Sequence, residues 1–155
     1  MDIYNILNEL NHKYEQIEHK PVFTIEEALE ENIPDKINGV ECKNLFVKNK
    51  DNYYLIFMEA SKRANLKELA KLLNKSKLSF SNEKELKEIL KLNIGSVTPI
   101  GIINDKNNLV VLLIDRDLKG KKVLVHPNTN TKTMSIEYED LIRFIEYTNH
   151  KYIVF

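Results

Sequence analysis

Lys43 and Asn44 stand at the head of the apolar run Leu45, Phe46, Val47. An ammonium and a carboxamide at one point supply a charge, several N–H donors and an acceptor. By residue type alone, the same pair also suits an exposed strand edge beside a turn. A second candidate is Ile94–Ile102, "IGSVTPIGI". The chain has four Gly and four Pro, and two of the Gly and one of the Pro fall in these nine residues. Gly95 lacks a Cβ and lets the backbone approach a ligand closely. Pro99 fixes its own φ and biases Thr98 toward an extended conformation. The loop is either a plain connection or a rigid cradle of backbone N–H groups walled by Val97. His126, at the end of "KVLV" and before Pro127, is a third candidate. Its ordinary pKa lets it hold or move a proton, and a capped surface histidine would look the same.

Other reactive residues weigh less. Ser96 directly follows Gly95, so the loop is not a G-x-S-x-G nucleophile elbow, and no base is signalled for it. Ser96 is therefore expected not to attack a substrate. Cys42 adjoins Lys43, but neighbours on a strand point to opposite faces, so Cys42 is expected in the core if Lys43 faces a site. The histidines His12, His19, His126 and His150 are scattered and the chain has one cysteine, so no metal set is recognisable. P-loop, G-x-G-x-x-G, H-E-x-x-H and C-x-x-C patterns are absent. The expectation is a site with no metal and no cofactor.

Length and composition frame these candidates. At 155 residues the chain is most simply one domain, residues 1–155, able to bury a real core. It is 43% hydrophobic and 30% charged, ordinary for a soluble protein. No apolar run suits a membrane span. The first residues carry acids and no basic leader, and the lone cysteine fits a reducing compartment, so a cytoplasmic location is expected. Net charge is zero, which excludes a global attraction to nucleic acid. Charge is uneven, however. Residues 1–35 hold nine acids against two lysines, while residues 62–77 hold six basic residues against Glu68. The basic stretch is either a solvated helix face or a place for phosphates.

The apolar spacing predicts the elements that must position these residues. Ile3, Ile6, Leu7 and Leu10 predict a helix over 2–15. "TIEEALEEN" predicts a short helix with Thr24 and Glu27 at capping-box spacing. "NLFVKN" and "YYLIFME" flank a turn and predict a hairpin. "LKELAKLL" and "SNEKELKEILKL" predict helices, the second with Ser81 as N-cap. "KLSF" reads as a short strand. "IGII" and "LVVLLID" predict a second hairpin, "KVLVHP" and "TKTMSI" strands, "SIEYEDLIRFIEYT" a last helix, and "KYIVF" a short closing strand. Hairpins mixed with single helices imply an α/β fold of the α+β type, with a mixed, barrel-like sheet surrounded by helices.

Several stretches together resemble one family. "CKNLFVKNKDNYYLIFMEASKRANLKELAKLL", "KLSFSNEKELKEIL", "GSVTPIGIIND" and "VHPNTNTKTMSIEYEDLIRFI" occur in order, from about Pro21 to the C-terminus. They resemble the YbaK/ProX family of trans-editing aminoacyl-tRNA deacylases, relatives of the editing domain inserted in bacterial prolyl-tRNA synthetases. "KNLF", with Asn44 after the Lys, and "HPNTNT" are similar to the ProX (ProXp-ala) branch rather than the cysteine-removing one.

The resemblance implies a barrel-like sheet with helices around it and hydrolysis of alanine mischarged onto proline tRNA, with prolyl-tRNA synthetase a possible partner. It implies Lys43 and His126 as catalytic residues, and Asn44, Gly95, Ser96, Val97, Thr98, Pro99 and Asn128 as substrate-binding. Its expected oligomeric state is a monomer or weak homodimer. Where the branch often has Phe after the loop proline, this chain has Ile100, a departure that bears on pocket size. Cysteinyl- or seryl-tRNA as substrate, and a noncatalytic module that binds a tRNA end, are the competing readings.

Overall fold

The computed structural model describes residues 2–155. Its turns explain how a chain so poor in glycine bends so often. Asn11, Asn32, Asn74, Asn108, Asn128 and Asn149 all have left-handed φ, as do Lys50 and Lys91. Asparagine tolerates this region better than other side chains, because its short amide bonds locally.

Helix α1 (Ile3–Glu9) starts at Asp2, whose carboxylate accepts from the Tyr4 amide at 2.8 Å. It is shorter than its periodicity predicts. Asn11 turns the chain, and Tyr14–Glu18 forms strand β1 instead. That strand pairs antiparallel with β7 (Lys132–Glu137), and those interstrand bonds replace the helical ones that residues 10–15 would have made. Helix α2 (Ile25–Glu30) is capped by Thr24, whose Oγ1 accepts from Glu27 N at 3.1 Å. Glu27 reaches back to the Phe23 amide at 3.3 Å, one residue beyond the expected capping box. A short α3 (Ile33–Lys36) follows, which the sequence pattern did not predict.

The expected hairpin is β2 (Cys42–Asn49) with β3 (Asn52–Glu59), turning at Lys50. Helix α4 (Leu66–Leu72), the two-residue β4 (Ser79–Phe80) and α5 (Glu83–Leu90) come next. The N-cap of α5 is Asn82 rather than Ser81, in a complete capping box with Glu85.

The second expected hairpin is overturned. Pro99–Asn104 is a 3-10 helix, and β5 (Val110–Ile114) pairs parallel with β3. Two local causes favour the helix. Pro99 sits in its first turn, and Thr98 Oγ1 accepts from the Ile100 amide at 3.3 Å. The unbroken apolar run Val110–Ile114 suits a strand covered on both faces, as parallel pairing requires. Strand β6 (Lys122–Val125), then β7, helix α6 (Tyr138–Tyr147) and β8 (Tyr152–Val154) complete the chain.

Two sheets result, ordered β1-β7-β6 and β4-β2-β3-β5-β8. They meet at one bridge, Val40 with Val123, where the Val40 amide donates to Lys122 O and the Leu124 amide to Val40 O. The mixed α/β architecture is as expected, but the sheet does not close into a barrel. Strand β3 shows how the core forms. Leu55 and Phe57 point into one apolar cluster, while Tyr54, Ile56 and Met58 point into another, so the larger sheet is buried on both faces. Burial of each such Leu, Ile or Phe contributes about 1.5–3 kcal/mol. Among the described residues, no helix is long and apolar enough to cross a membrane.

Candidate active site

The bridge at Val40 sets the start of β2 beside β6. A cavity of about 360 Å³ opens there. This lies at the small end of ligand pockets, right for an amino acid and part of a sugar and far too small for a duplex. The start of β2 contributes Glu41, Cys42, Lys43 and Asn44 to its wall. The end of β6 contributes Val125 and His126, β7 adds Thr133, and the loop after α5 adds Ile94, Gly95 and Val97. Phe23 and Ile94, 59% and 54% exposed, make an apolar rim.

Lys43 pairs with Met58 across the hairpin, and its Nζ donates to the backbone carbonyl of Lys62. One of its three N–H donors is thereby tied and two remain for a ligand. Lys62 is itself fixed: its own ammonium pairs with Asp115 Oδ1 at 2.8 Å and with Asp117. Asp115 is 1% exposed and also accepts from the amides of Glu59 and Asp117, at 3.1 and 3.0 Å. The cation at the cavity is thus held through a chain of bonds that ends in a buried carboxylate.

The loop is shaped by its glycine. Gly95 has φ +88°, and a Cβ there would lie 2.6 Å from Phe23 Cδ1 and 3.3 Å from Phe23 Cα. Both the backbone conformation and the space exclude a side chain. The Ser96 amide donates to Asn93 O at 3.1 Å, whereas the amides of Gly95 and Val97 have no acceptor among the described residues. Two N–H donors are therefore left without a protein acceptor on residues that line the cavity. Thr98 holds the loop from behind. It is 0% exposed, and its Oγ1 donates to the His126 carbonyl at 2.7 Å while accepting from Ile100 N. The loop and His126 are joined by that one hydroxyl.

His126 Nδ1 lies 3.2 Å from the Lys132 carbonyl. A carbonyl only accepts, so Nδ1 carries the proton. Burial pushes the His126 pKa down, with nearby His19 acting in the same direction, and together they outweigh the bond to Lys132 O. The ring is then neutral near pH 7, with a lone pair on Nε2.

Of the residues singled out from sequence, Lys43, Asn44, Gly95, Val97 and His126 line the cavity. Ser96, Thr98, Pro99 and Asn128 do not: Ser96 and Thr98 are buried behind the wall, and Pro99 opens the 3-10 helix. Asn128 has φ 62° and a buried, unpartnered Oδ1, 3.8 Å from where a Gly101 Cβ would stand. Ile100 is fully buried in the core and is not part of the wall, so its departure from Phe does not set the size of this cavity.

Cys42 packs on the core as expected, yet also reaches the wall. Burial and the nearby Glu41 charge push its thiol well above the usual range, and Sγ donates to Val40 O at 3.3 Å, so it is no nucleophile. Glu41, Phe23 and Thr133 are wall residues that sequence reasoning missed. Glu41 had a signal: it precedes Lys43 by two, the spacing of one strand face. Among the described residues, no cluster of three metal-ligating side chains occurs.

The chain is similar to known proteins in sequence and in fold. The model of the aminoacyl-tRNA editing domain matches residues 19–144. The prolyl-tRNA editing protein ProX of Acetoanaerobium sticklandii is 38% identical over 143 residues, covering 90% of this chain and 86% of its own. The prolyl-tRNA synthetase associated domain-containing protein 1 of Mus musculus is 35% identical over 146 residues, covering 90% and 85%. Two solved structures share the fold. One, a proposed trans-editing enzyme for prolyl-tRNA synthetase, has a TM-score of 0.70 at 20% identity, covering 91% and 85%. The other, a hypothetical protein, has a TM-score of 0.74 at 18% identity, covering 97% and 95%.

Proposed function

Because the chain belongs to the aminoacyl-tRNA editing domain family, we propose that it hydrolyses alanine mischarged onto proline tRNA, acting in trans in the cytoplasm on the acceptor end of the tRNA. A synthetase pocket built for proline discriminates poorly against a smaller side chain, since a few missing methylenes are worth only about 1–3 kcal/mol. A second, narrower site must remove the error. The observation that carries this reading is the meeting of Lys43, the free amides of Gly95 and Val97, and neutral His126 at one small cavity.

An aminoacyl ester is already activated, so the chemistry asked of the protein is modest. Water attacks the ester carbonyl, the oxyanion forms, and the carbon–oxygen bond to the ribose breaks. The ribose oxygen leaves with a proton, giving free amino acid and uncharged tRNA. The loop amides stabilise the oxyanion, and the Lys43 ammonium binds ester or phosphate oxygens as a compact charge. His126 Nε2 accepts a hydrogen bond from the water or from the terminal ribose hydroxyl. The neighbouring 2′-hydroxyl helps place the water. Phe23 and Ile94 at the rim offer an apolar surface on which the terminal base stacks.

The test is a deacylation panel of alanyl-, seryl-, cysteinyl- and prolyl-tRNA with substrate in excess. Preference for alanyl-tRNA with repeated turnover is expected. A preference for cysteine or serine would reassign the substrate, and binding without turnover would make the protein a recognition module. Replacing the terminal 2′-hydroxyl by hydrogen is expected to slow the reaction at least about tenfold; an equal rate would remove the hydroxyl from the mechanism. Val97 is the apolar wall on the loop, so Val97→Ala should admit larger amino acids. A several-fold rise in seryl- or prolyl-tRNA hydrolysis relative to alanyl-tRNA is expected, and an unchanged ratio would assign the sieve to another residue.

A further inference from the structure

Glu41 is the one carboxylate among the residues that line the cavity. It forms no hydrogen bond or ion pair through its side chain with any described residue. Partial burial pushes its pKa up. The nearest reactive cation on its strand is Lys43. The Ala60 amide donates to Glu41 O at 2.9 Å, which continues the β2–β3 pairing one residue beyond Cys42. Glu41 and Lys43 therefore share one face of the strand, with Cβ atoms roughly 7 Å apart. They make no ion pair, because Lys43 Nζ is bound to the Lys62 carbonyl.

A half-buried carboxylate at the cavity wall with no protein partner is placed to take a cation from the ligand. An aminoacyl ester carries one, the α-ammonium, a single carbon away from the ester carbonyl. If the ester oxygens lie on Lys43 and the loop amides, the ammonium falls on the other side of the same carbon. We infer that Glu41 binds the α-ammonium of the aminoacyl ester and thereby selects aminoacyl over other acyl groups. Asn44, whose Oδ1 has no hydrogen-bond partner among the described residues, also lines this cavity. This inference rests on the deacylase reading but concerns the amino group, which that reading leaves unassigned.

The experiment compares alanyl-tRNA with lactyl-tRNA, in which a hydroxyl replaces the α-ammonium and the side chain is unchanged. It uses the full chain, as wild type and as Glu41→Gln. Binding of hydrolysis-resistant amide analogues, alanylamino- and lactylamino-adenosine, is measured in parallel by calorimetry. For wild type, alanyl-tRNA should have the lower KM. In Glu41→Gln that KM should rise at least about tenfold while the KM for lactyl-tRNA stays the same, so the preference collapses. The alanyl analogue should lose affinity by the same factor and the lactyl analogue should not. Equal changes for both acyl groups, or an unchanged preference, would overturn the assignment. Glu41→Asp, which keeps the charge, should restore part of the preference; if it behaves as Gln does in a folded protein, the charge is not what the cavity uses. Should wild type hydrolyse neither ester but bind the alanyl analogue in a Glu41-dependent way, the deacylase reading fails and the ammonium site stands.

Discussion

Lys43→Ala is expected to lower single-turnover deacylation of alanyl-tRNA by at least about 100-fold, the size of effect seen when one preorganised charge or donor is removed from an acyl-transfer site. The side chain gives one hydrogen bond to the Lys62 carbonyl and lines the cavity with what remains. Its removal costs the fold about 0.5–1.5 kcal/mol, one net hydrogen bond, so the protein should still melt cooperatively within a few degrees of wild type. Loss of rate with retained structure is the expected pair of results. Lys43→Arg tests the geometry. The planar guanidinium cannot place one N–H on the Lys62 carbonyl and two in the same small space, so it should restore less than a tenth of the lost rate. A Lys43→Ala protein with wild-type kinetics would remove the lysine from the mechanism.

The two sides of this site were unequally legible in the sequence. Lys43, Asn44, Gly95, Val97 and His126, far apart in the chain, all line one cavity. Residue type alone leaves each of them open between a site and an ordinary surface or turn, and the resemblance of the motifs around them is what marks them as site residues. Thr98 was read as part of the wall, and it is instead the post behind it. That difference could not be read locally, because the partner of its hydroxyl, the His126 carbonyl, lies 28 residues away. Glu41 was missed because a glutamate before a strand is usually solvated. The bridge of neighbouring Val40 to Val123 brings β6 beside it and leaves it half-buried at the cavity.

The same division holds for the fold. The β2–β3 hairpin, α4, α5 and α6 were legible, since apolar period and turn residues are local properties. The hairpin expected between "IGII" and "LVVLLID" was not there. A continuous apolar run has no period that distinguishes an antiparallel partner from a parallel one. The decision was made by β3, which offers β5 a parallel edge, and by Thr98, which caps a helical turn where a strand was expected. The shortened α1 has a similar cause. The helix predicted to Glu15 gives way at its end because residues 14–18 pair with β7 at five positions, a contact the local spacing does not show.

Asp115→Ala is expected to lower stability by about 2–4 kcal/mol and to reduce deacylation as well, although the residue is not part of the cavity wall. The stability loss follows from what the carboxylate satisfies. Two part-buried backbone amides, those of Glu59 and Asp117, lose their acceptor, and each left unpaired costs up to about 1–3 kcal/mol, alongside the lost ion pair of the buried carboxylate with Lys62. Asp115→Asn should lose nearly as much, because one arm of the amide would present N–H groups to the donors that the carboxylate accepts. The activity loss follows from Lys62, whose backbone carbonyl anchors Lys43 and whose ammonium is held by Asp115. Freed of that ion pair, the Lys62 segment no longer fixes the carbonyl, and kcat should fall several-fold with little change in KM. Measuring the rate well below the melting temperature separates this from unfolding.

Acid provides the second reading. Burial alone would raise the Asp115 carboxyl, but the Lys62 ammonium and the two amides outweigh it and hold the pKa below the usual carboxylate range. A carboxylate lowered on folding contributes stability that is complete above its unfolded value, about 3.9, and is lost as pH falls through the folded one. Wild type should therefore lose stability as pH falls below about 4 more steeply than Asp115→Ala, measured by urea unfolding at each pH. Parallel curves would mean that the carboxylate is not preferentially ionised in the fold, and the route from Asp115 through Lys62 to Lys43 would then have to rest on the amide bonds alone.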